Sequence, residues 1–250
     1  MQIFIWLELL TYMNESLIIE FVRIYTVNRM ERNPFAPAFT DLPETIAIFP
    51  LAGVLLLPCG RLPLNIFEPR YLAMVEDAIA GNRTIGMVQP RDKAVREITN
   101  DTPVFQTGCA GKITEFSETE DGRYLITLTG ICRFDIAEEV MPGRGYRKVK
   151  AGWRSYEDDL MERKCLDLNR ERLKALLKRY FELHEMTCDW AAVEDAPDGR
   201  LITCLSMICP FDAGEKQALL EAKCCHTRAG LFMTMLEMAA CGKEDCCSHH

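Results

Sequence analysis

The stretch from Ile46 to Tyr71, IAIFPLAGVLLLPCGRLPLNIFEPRY, narrows the fold more than any other part of this 250-residue chain. It sets short apolar runs between four prolines and two glycines. Proline cannot donate to a central β-ladder, so strands here must be short, bent or at a sheet edge. Three are predicted: Ile46 to Phe49, Val54 to Leu57 and Leu62 to Ile66. Pro69 suits the first turn of a helix, where its missing N–H does no harm. Tyr71, Leu72, Val75, Ala78 and Ile79 follow at helical spacing, and Gly81-Asn82 closes that helix. Ile85 to Val88 reads as the next strand.

The polar residues 91–102 read as a loop, and Val104 to Phe116 as a strand weakened by Gly108 and Gly111. Asp121-Gly122 is a hairpin signal. Beyond it Tyr124, Ile126, Leu128, Cys132, Phe134 and Ile136 share one parity, with Gly130 in phase. One long strand therefore turns one apolar face inward, and Gly130 allows the bend that closing a small barrel requires. After a turn at 141–145, Tyr146 to Trp153 is the last strand.

Helical spacing then takes over. Glu157 to about Met186 reads as one long helix, with Leu166, Leu173, Leu177, Tyr180 and His184 on one stripe. Its acids (Glu157, Asp158, Asp159, Glu162) come first and its bases (Arg170, Arg172, Lys174, Lys178, Arg179) later, which suits the helix dipole and a solvated face. Leu201, Leu205 and Ile208 mark a shorter helix, broken at Cys209-Pro210. Asp212 and Glu215 form a capping-box start for Gln217 to Ala222. Ala229, Phe232, Met233, Leu236 and Ala240 mark the last helix. Strands followed by helices predict an α+β fold. The expected division is an N-terminal extension (1–43), a β-rich subdomain (44–154), a helical bundle (155–240) and a Cys/His tail (241–250).

Composition removes several function classes. Acids outnumber bases by 37 to 29, giving a charge of -8, and no basic cluster stands out, which argues against nucleic acid. The twelve cysteines are irregularly spaced in a chain that is not short, which predicts reduced thiols and a cytoplasmic setting. Cys59, Cys132, Cys204 and Cys209 are expected as small core residues. Residues 1–29 are apolar but carry Glu8, Glu15, Glu20 and Arg23, so they match neither a membrane span nor a signal peptide. Met30 is the expected native start, with 1–29 as translated upstream sequence; the alternative is an amphipathic helix docked on the body.

Three blocks carry a family resemblance. FPLAGVLLLPCGRLPLNIFEPRY (Phe49 to Tyr71), LITLTGICRFDI (Leu125 to Ile136) with its G-x-x-R-F core, and FDAGEKQALLEA (Phe211 to Ala222) stand in order. The chain resembles the Lon N-terminal, or Lon substrate-binding, domain over about residues 44–240, above all the stand-alone bacterial proteins of that family. The resemblance implies a PUA-like β pseudo-barrel followed by an α-helical bundle. It also implies a non-catalytic module that recognises unfolded or exposed polypeptide in protein quality control, with a protease or chaperone as partner and no cofactor. The engines of a full Lon protease leave no trace. Neither Gly108-Cys-Ala-Gly-Lys112-Ile113 nor Gly242-Lys243-Glu244 is a Walker A loop. Asp121-Gly122 and Asp198-Gly199 both run on into arginine rather than into the D-G-P-S-A-G nucleophile segment.

Two readings stay open for Phe67, Glu68, Arg70 and Tyr71. One is a strand-to-helix corner, with Phe67 and Tyr71 in the core and Glu68 paired to Arg70. The other is a peptide groove with pockets from Leu51, Leu64, Phe67 and Phe134, reached along an unpaired sheet edge. A small-molecule or nucleotide-derived ligand in a barrel–bundle cleft is the alternative function. Cys241, Cys246, Cys247 and His249 are zinc-type ligands, joined by Cys224, Cys225 and His226 only if helices bring them close, but their spacing fits no standard finger. Cys225 and His226 point about 100° apart on a helix, which disfavours a nucleophile–base pair. His184 is expected as a partly buried packing residue.

Overall fold

The computed structural model describes residues 37–92, 98–140, 144–161 and 168–241. The expectations for residues 1–29, for Leu166 and for Cys246, Cys247 and His249 lie outside these residues, as does the side chain of Cys241. The described chain falls into two compact units. The first takes the described residues up to 161 together with the segment Pro210–Leu220, and the second takes residues 168–209 and 221–241.

In the first unit the strands are β1 (Thr45–Pro50), β2 (Arg61–Ile66), β3 (Thr84–Val88), β4 (Thr107–Glu118), β5 (Tyr124–Val140) and β6 (Arg147–Gly152). Helix α1 (Pro69–Ala80) follows β2 with Pro69 in its first turn, as the sequence predicts. The seventeen-residue β5 organises the sheet. Its first half pairs with β2, its last third with β6, and its other edge with β4. Because β1 also joins β3 to β6, strands β5, β4, β3, β1 and β6 close into a ring, with β2 outside it. The apolar parity of β5 is the inward face: Ile126, Leu128, Cys132 and Phe134 are buried. The Phe134 ring fills space that a side chain at Gly86 or Gly108 would occupy, and lies 5.7 Å from the Trp153 ring.

Val54 to Leu57 joins no ladder, contrary to expectation, although all four residues are buried. The run is held by a tight turn in which Cys59 takes a left-handed φ of 66°. Cys59 N–H donates to the Gly130 carbonyl, and Gly130 N–H to the Gly60 carbonyl. That conformation leaves Cys59 exposed rather than in the core, while Cys132, Cys204 and Cys209 are buried. Gly130 does more than permit a bend. A Cβ there would stand 2.1 Å from the Leu57 carbonyl oxygen, so the turn can dock only on a glycine. The register slips by one residue beside it, where Ala110 faces Cys132 and Gly111 faces Gly130.

The predicted long helix is two elements. Arg154–Leu160 is a 3-10 segment, and α2 (Arg170–Leu183) starts afresh where the Asn169 side chain accepts the Arg172 N–H at 3.0 Å. Of the early acids, Glu157, Asp158 and Asp159 therefore belong to the 3-10 segment and Glu162 lies outside the described residues; Asp159 takes the buried Arg133 in a two-toothed ion pair. α3 (Trp190–Asp195), α4 (Asp198–Ile208), α5 (Ala213–Glu221) and α6 (Cys225–Cys241) complete the chain. In the second unit Leu173, Leu177, Tyr180 and Phe181 are the buried stripe of α2. Arg172 pairs with Glu237 of α6, and Arg179 donates to the Ala240 carbonyl. His184 is exposed at the end of α2, its ring 4.3 Å from that of Tyr180, and is not the partly buried residue expected.

Helix α5, apart from its last residue Glu221, falls in the barrel unit. Its capping box forms as predicted, with Asp212 and Glu215 exchanging hydrogen bonds of 2.8 Å. Lys216 donates to the Gly53 carbonyl, Gln217 to the Thr107 carbonyl, and Gln89 to the Ala213 carbonyl.

Candidate binding groove on the barrel unit

The FEPRY corner is built as structure first. Glu68 precedes α1 and pairs with Arg70 at 2.8 Å. Arg70 also donates to the Ile98 carbonyl at 2.7 Å and lies 4.5 Å from the Tyr71 ring centre. Tyr71 is buried against Phe49, with ring centres 4.3 Å apart, and burial pushes its hydroxyl pKa up to about 12. Phe67 is half-buried, 5.7 Å from the Arg123 guanidinium. Leu51, Leu64, Tyr71 and Phe134 are all less than 9% exposed, so they cannot line an open groove in this conformation. Leu64, Tyr71 and Phe134 lie on the buried faces of β2, α1 and β5, and Leu51 is buried just past the end of β1.

The edge of β2 is also a poor acceptor for an added strand. The Gly130–Gly60 hydrogen bond sets the ladder alternation, so Leu62, Leu64 and Ile66 bond toward β5 and Arg61, Pro63 and Asn65 face outward. Pro63 thus places its missing N–H on the free side, a device that blunts edges.

A different site emerges where α1 passes the β4–β5 hairpin. A surface groove of about 400 Å³ is lined by Glu76, Ile79 and Ala80 of α1, by Arg83, by Ile113, Thr114, Glu115 and Phe116 of β4, and by Tyr124 of β5. Its ends are pinned. Tyr124 donates to Glu76 at 3.3 Å, and Ile113 N–H donates to the Arg83 carbonyl at 2.8 Å. The floor is apolar, and Phe116 is 47% exposed with its ring edge-on to Tyr124 at 5.1 Å.

The groove's carboxylates are already engaged. Glu76 pairs with Arg144 at 3.0 Å. Glu115 accepts from Thr127 at 2.6 Å and pairs with Arg61. The Thr127 hydroxyl, with help from Arg61, holds the Glu115 carboxyl below the usual range. The Arg83 guanidinium has no hydrogen-bond or ion-pair partner among the described residues.

Sequence reasoning missed this groove because Phe116 and Tyr124 carry inward parity. Ile126, opposite Phe116, is indeed buried. The strand pair runs on toward its tip, where that face loses its cover. The one available signal was an aromatic at each end of the polar tip Ser117 to Arg123.

The other candidate groups are placed as follows. Gly108 to Lys112 lies in β4, with its residues paired to β3 and β5 rather than looped to cradle a phosphate. Cys225 is half-buried and His226 exposed at the start of α6. Among the described residues no group of three His, Cys, Asp or Glu side chains is disposed to hold a metal ion.

Comparison with known proteins returns one family. The profile of the ATP-dependent protease La (LON) substrate-binding domain matches residues 45–237. Lon protease 2 of Myxococcus xanthus is 24% identical over 198 residues, 78% of this chain and 24% of that protein. Lon protease of Anaeromyxobacter dehalogenans is 28% identical over 145 residues, 57% of this chain and 17% of that protein. The chain thus spans about a quarter or less of the curated relatives it matches. In fold it is similar to the Lon N-terminal domain protein from Xanthomonas campestris, with a TM-score of 0.52 and 21% identity over 76% of this chain and 97% of that one. The N-terminal domain of Mycobacterium avium complex Lon protease gives 0.51 and 14%, over 78% of this chain and 97% of that one.

Proposed function

The chain belongs to the LON substrate-binding domain family, and from that premise we propose that it binds exposed apolar segments of polypeptide, without catalysis, in the groove between α1 and the β4–β5 hairpin. The half-exposed Phe116 ring, stacked edge-on against Tyr124 over an apolar floor, carries this reading. Aromatic anchors supply much of the binding energy at peptide and protein interfaces. A small polar ligand would need several convergent free polar groups, whereas Glu76 and Glu115 are taken. The charge of -8 disfavours RNA. The fitting role is protein quality control in the cytoplasm, presenting clients to a protease or chaperone. Among the described residues no helix is long and apolar enough to cross a membrane.

The test is binding of a labelled, reduced and carboxymethylated protein that cannot refold. Replacing Phe116 and Tyr124 together by alanine is expected to weaken binding about tenfold or more, the effect of losing an aromatic anchor, with the melting temperature kept. Undiminished binding by that variant would overturn the groove assignment. Leu64→Ala is the contrast: it empties a buried position and is expected to lower the melting temperature.

A further inference from the structure

We infer that the groove selects apolar segments that carry an acidic side chain beside the apolar anchor, and that Arg83 is the residue that reads it. The inference rests on the proposed peptide-binding role and adds its specificity. Arg83 lines the groove with a guanidinium that no described residue neutralises, whereas Glu76 and Glu115 are each held by an arginine. Among the charged residues that line the groove, Arg83 is thus the one without an ion-pair partner among the described residues, and its charge is positive.

The position of Arg83 is fixed by its backbone rather than by its side chain. Its N–H donates to the Ala78 carbonyl at 2.8 Å, and its carbonyl accepts from Ile113 N–H. The φ of 62° is left-handed, a conformation that asparagine tolerates better than most residues. The groove is half-open to solvent, so a segment can lie along its mouth with its acidic side chain at the Arg83 end.

The experiment measures binding of three short labelled peptides with blocked termini, each centred on phenylalanine and leucine and flanked by aspartate, serine or lysine. At low salt the aspartate peptide is expected to bind about threefold more tightly than the serine peptide, the size of an exposed ion pair, and the lysine peptide most weakly. Added salt should compress the differences. Arg83→Asn keeps the backbone conformation and should make the aspartate and serine peptides equal. Arg83→Glu should reverse the order in favour of lysine.

Equal binding of all three peptides, each still weakened by Phe116→Ala, would overturn the charge preference and leave the groove standing. Persistence of the aspartate preference in Arg83→Asn would overturn the role of Arg83. Binding indifferent to Phe116→Ala would overturn the groove and this inference together.

Discussion

Gly130, Arg133 and Phe134 act at three different places although they sit within five residues. Gly130 admits the Leu57–Gly60 turn, Phe134 fills the barrel, and Arg133, on the opposite face of β5, is buried outside it. There Arg133 donates to both Asp159 oxygens and, at 3.1 Å, to the Leu220 carbonyl, with its guanidinium 4.7 Å from the Tyr156 ring centre. The G-x-x-R-F pattern is thus a packing device, which its spacing alone does not reveal. A Cβ at position 130 would meet the Leu57 carbonyl oxygen and carbon at 2.1 and 2.8 Å, and backbone cannot swing aside as a flexible side chain can. Gly130→Ala is therefore expected to destabilise by about 3 kcal/mol, the upper end of overpacking costs. Urea denaturation would check it, and an unchanged midpoint would refute the docking argument.

Among elements, α1 shows best how the groove is held. Tyr146 donates to Asp77 at 2.6 Å, and Arg144 bridges Asp77 and Glu76. The Tyr146 hydroxyl, and then Arg144, hold the Asp77 carboxyl below its ordinary 3.8. A depressed carboxylate contributes stability that is present above the unfolded value and lost as pH falls through the folded one. Wild type should lose more stability than Tyr146→Phe between about pH 7 and about pH 3. Urea midpoints at both pH values would show this, and parallel losses would contradict it. Two element-level expectations failed for local reasons. The helix expected from Glu157 restarts at Arg170 because the Asn169 side chain caps a new end, and asparagine costs too little inside a helix for its position to announce that. Val54 to Leu57 has strand-like residues, but its turn spends the backbone groups of Cys59 and Gly60 on Gly130 and Leu57.

For the whole molecule, burial should sort the thiols. Burial pushes the Cys132 and Cys204 thiols up to about 12, while the Thr227 hydroxyl and N–H hold the exposed Cys224 below the usual thiol range. Thiolate is the reactive form. Alkylation at mildly alkaline pH, read by mass spectrometry, should mark Cys224 and the exposed Cys59 early, and Cys132 and Cys204 only after unfolding. Early marking of Cys132 would contradict its place in the barrel interior. The α+β class, the inward parity of β5, the start of α1 at Pro69 and the family are legible in the order of residues alone, because period, proline and glycine act locally. That Leu51, Leu64, Tyr71 and Phe134 are core, and that Phe116 and Tyr124, of the same inward parity, border a groove, follows from long-range packing instead. Parity says which way a side chain points. Whether anything covers it depends on how far α1 reaches along the hairpin, and that is set by contacts between residues distant in the chain.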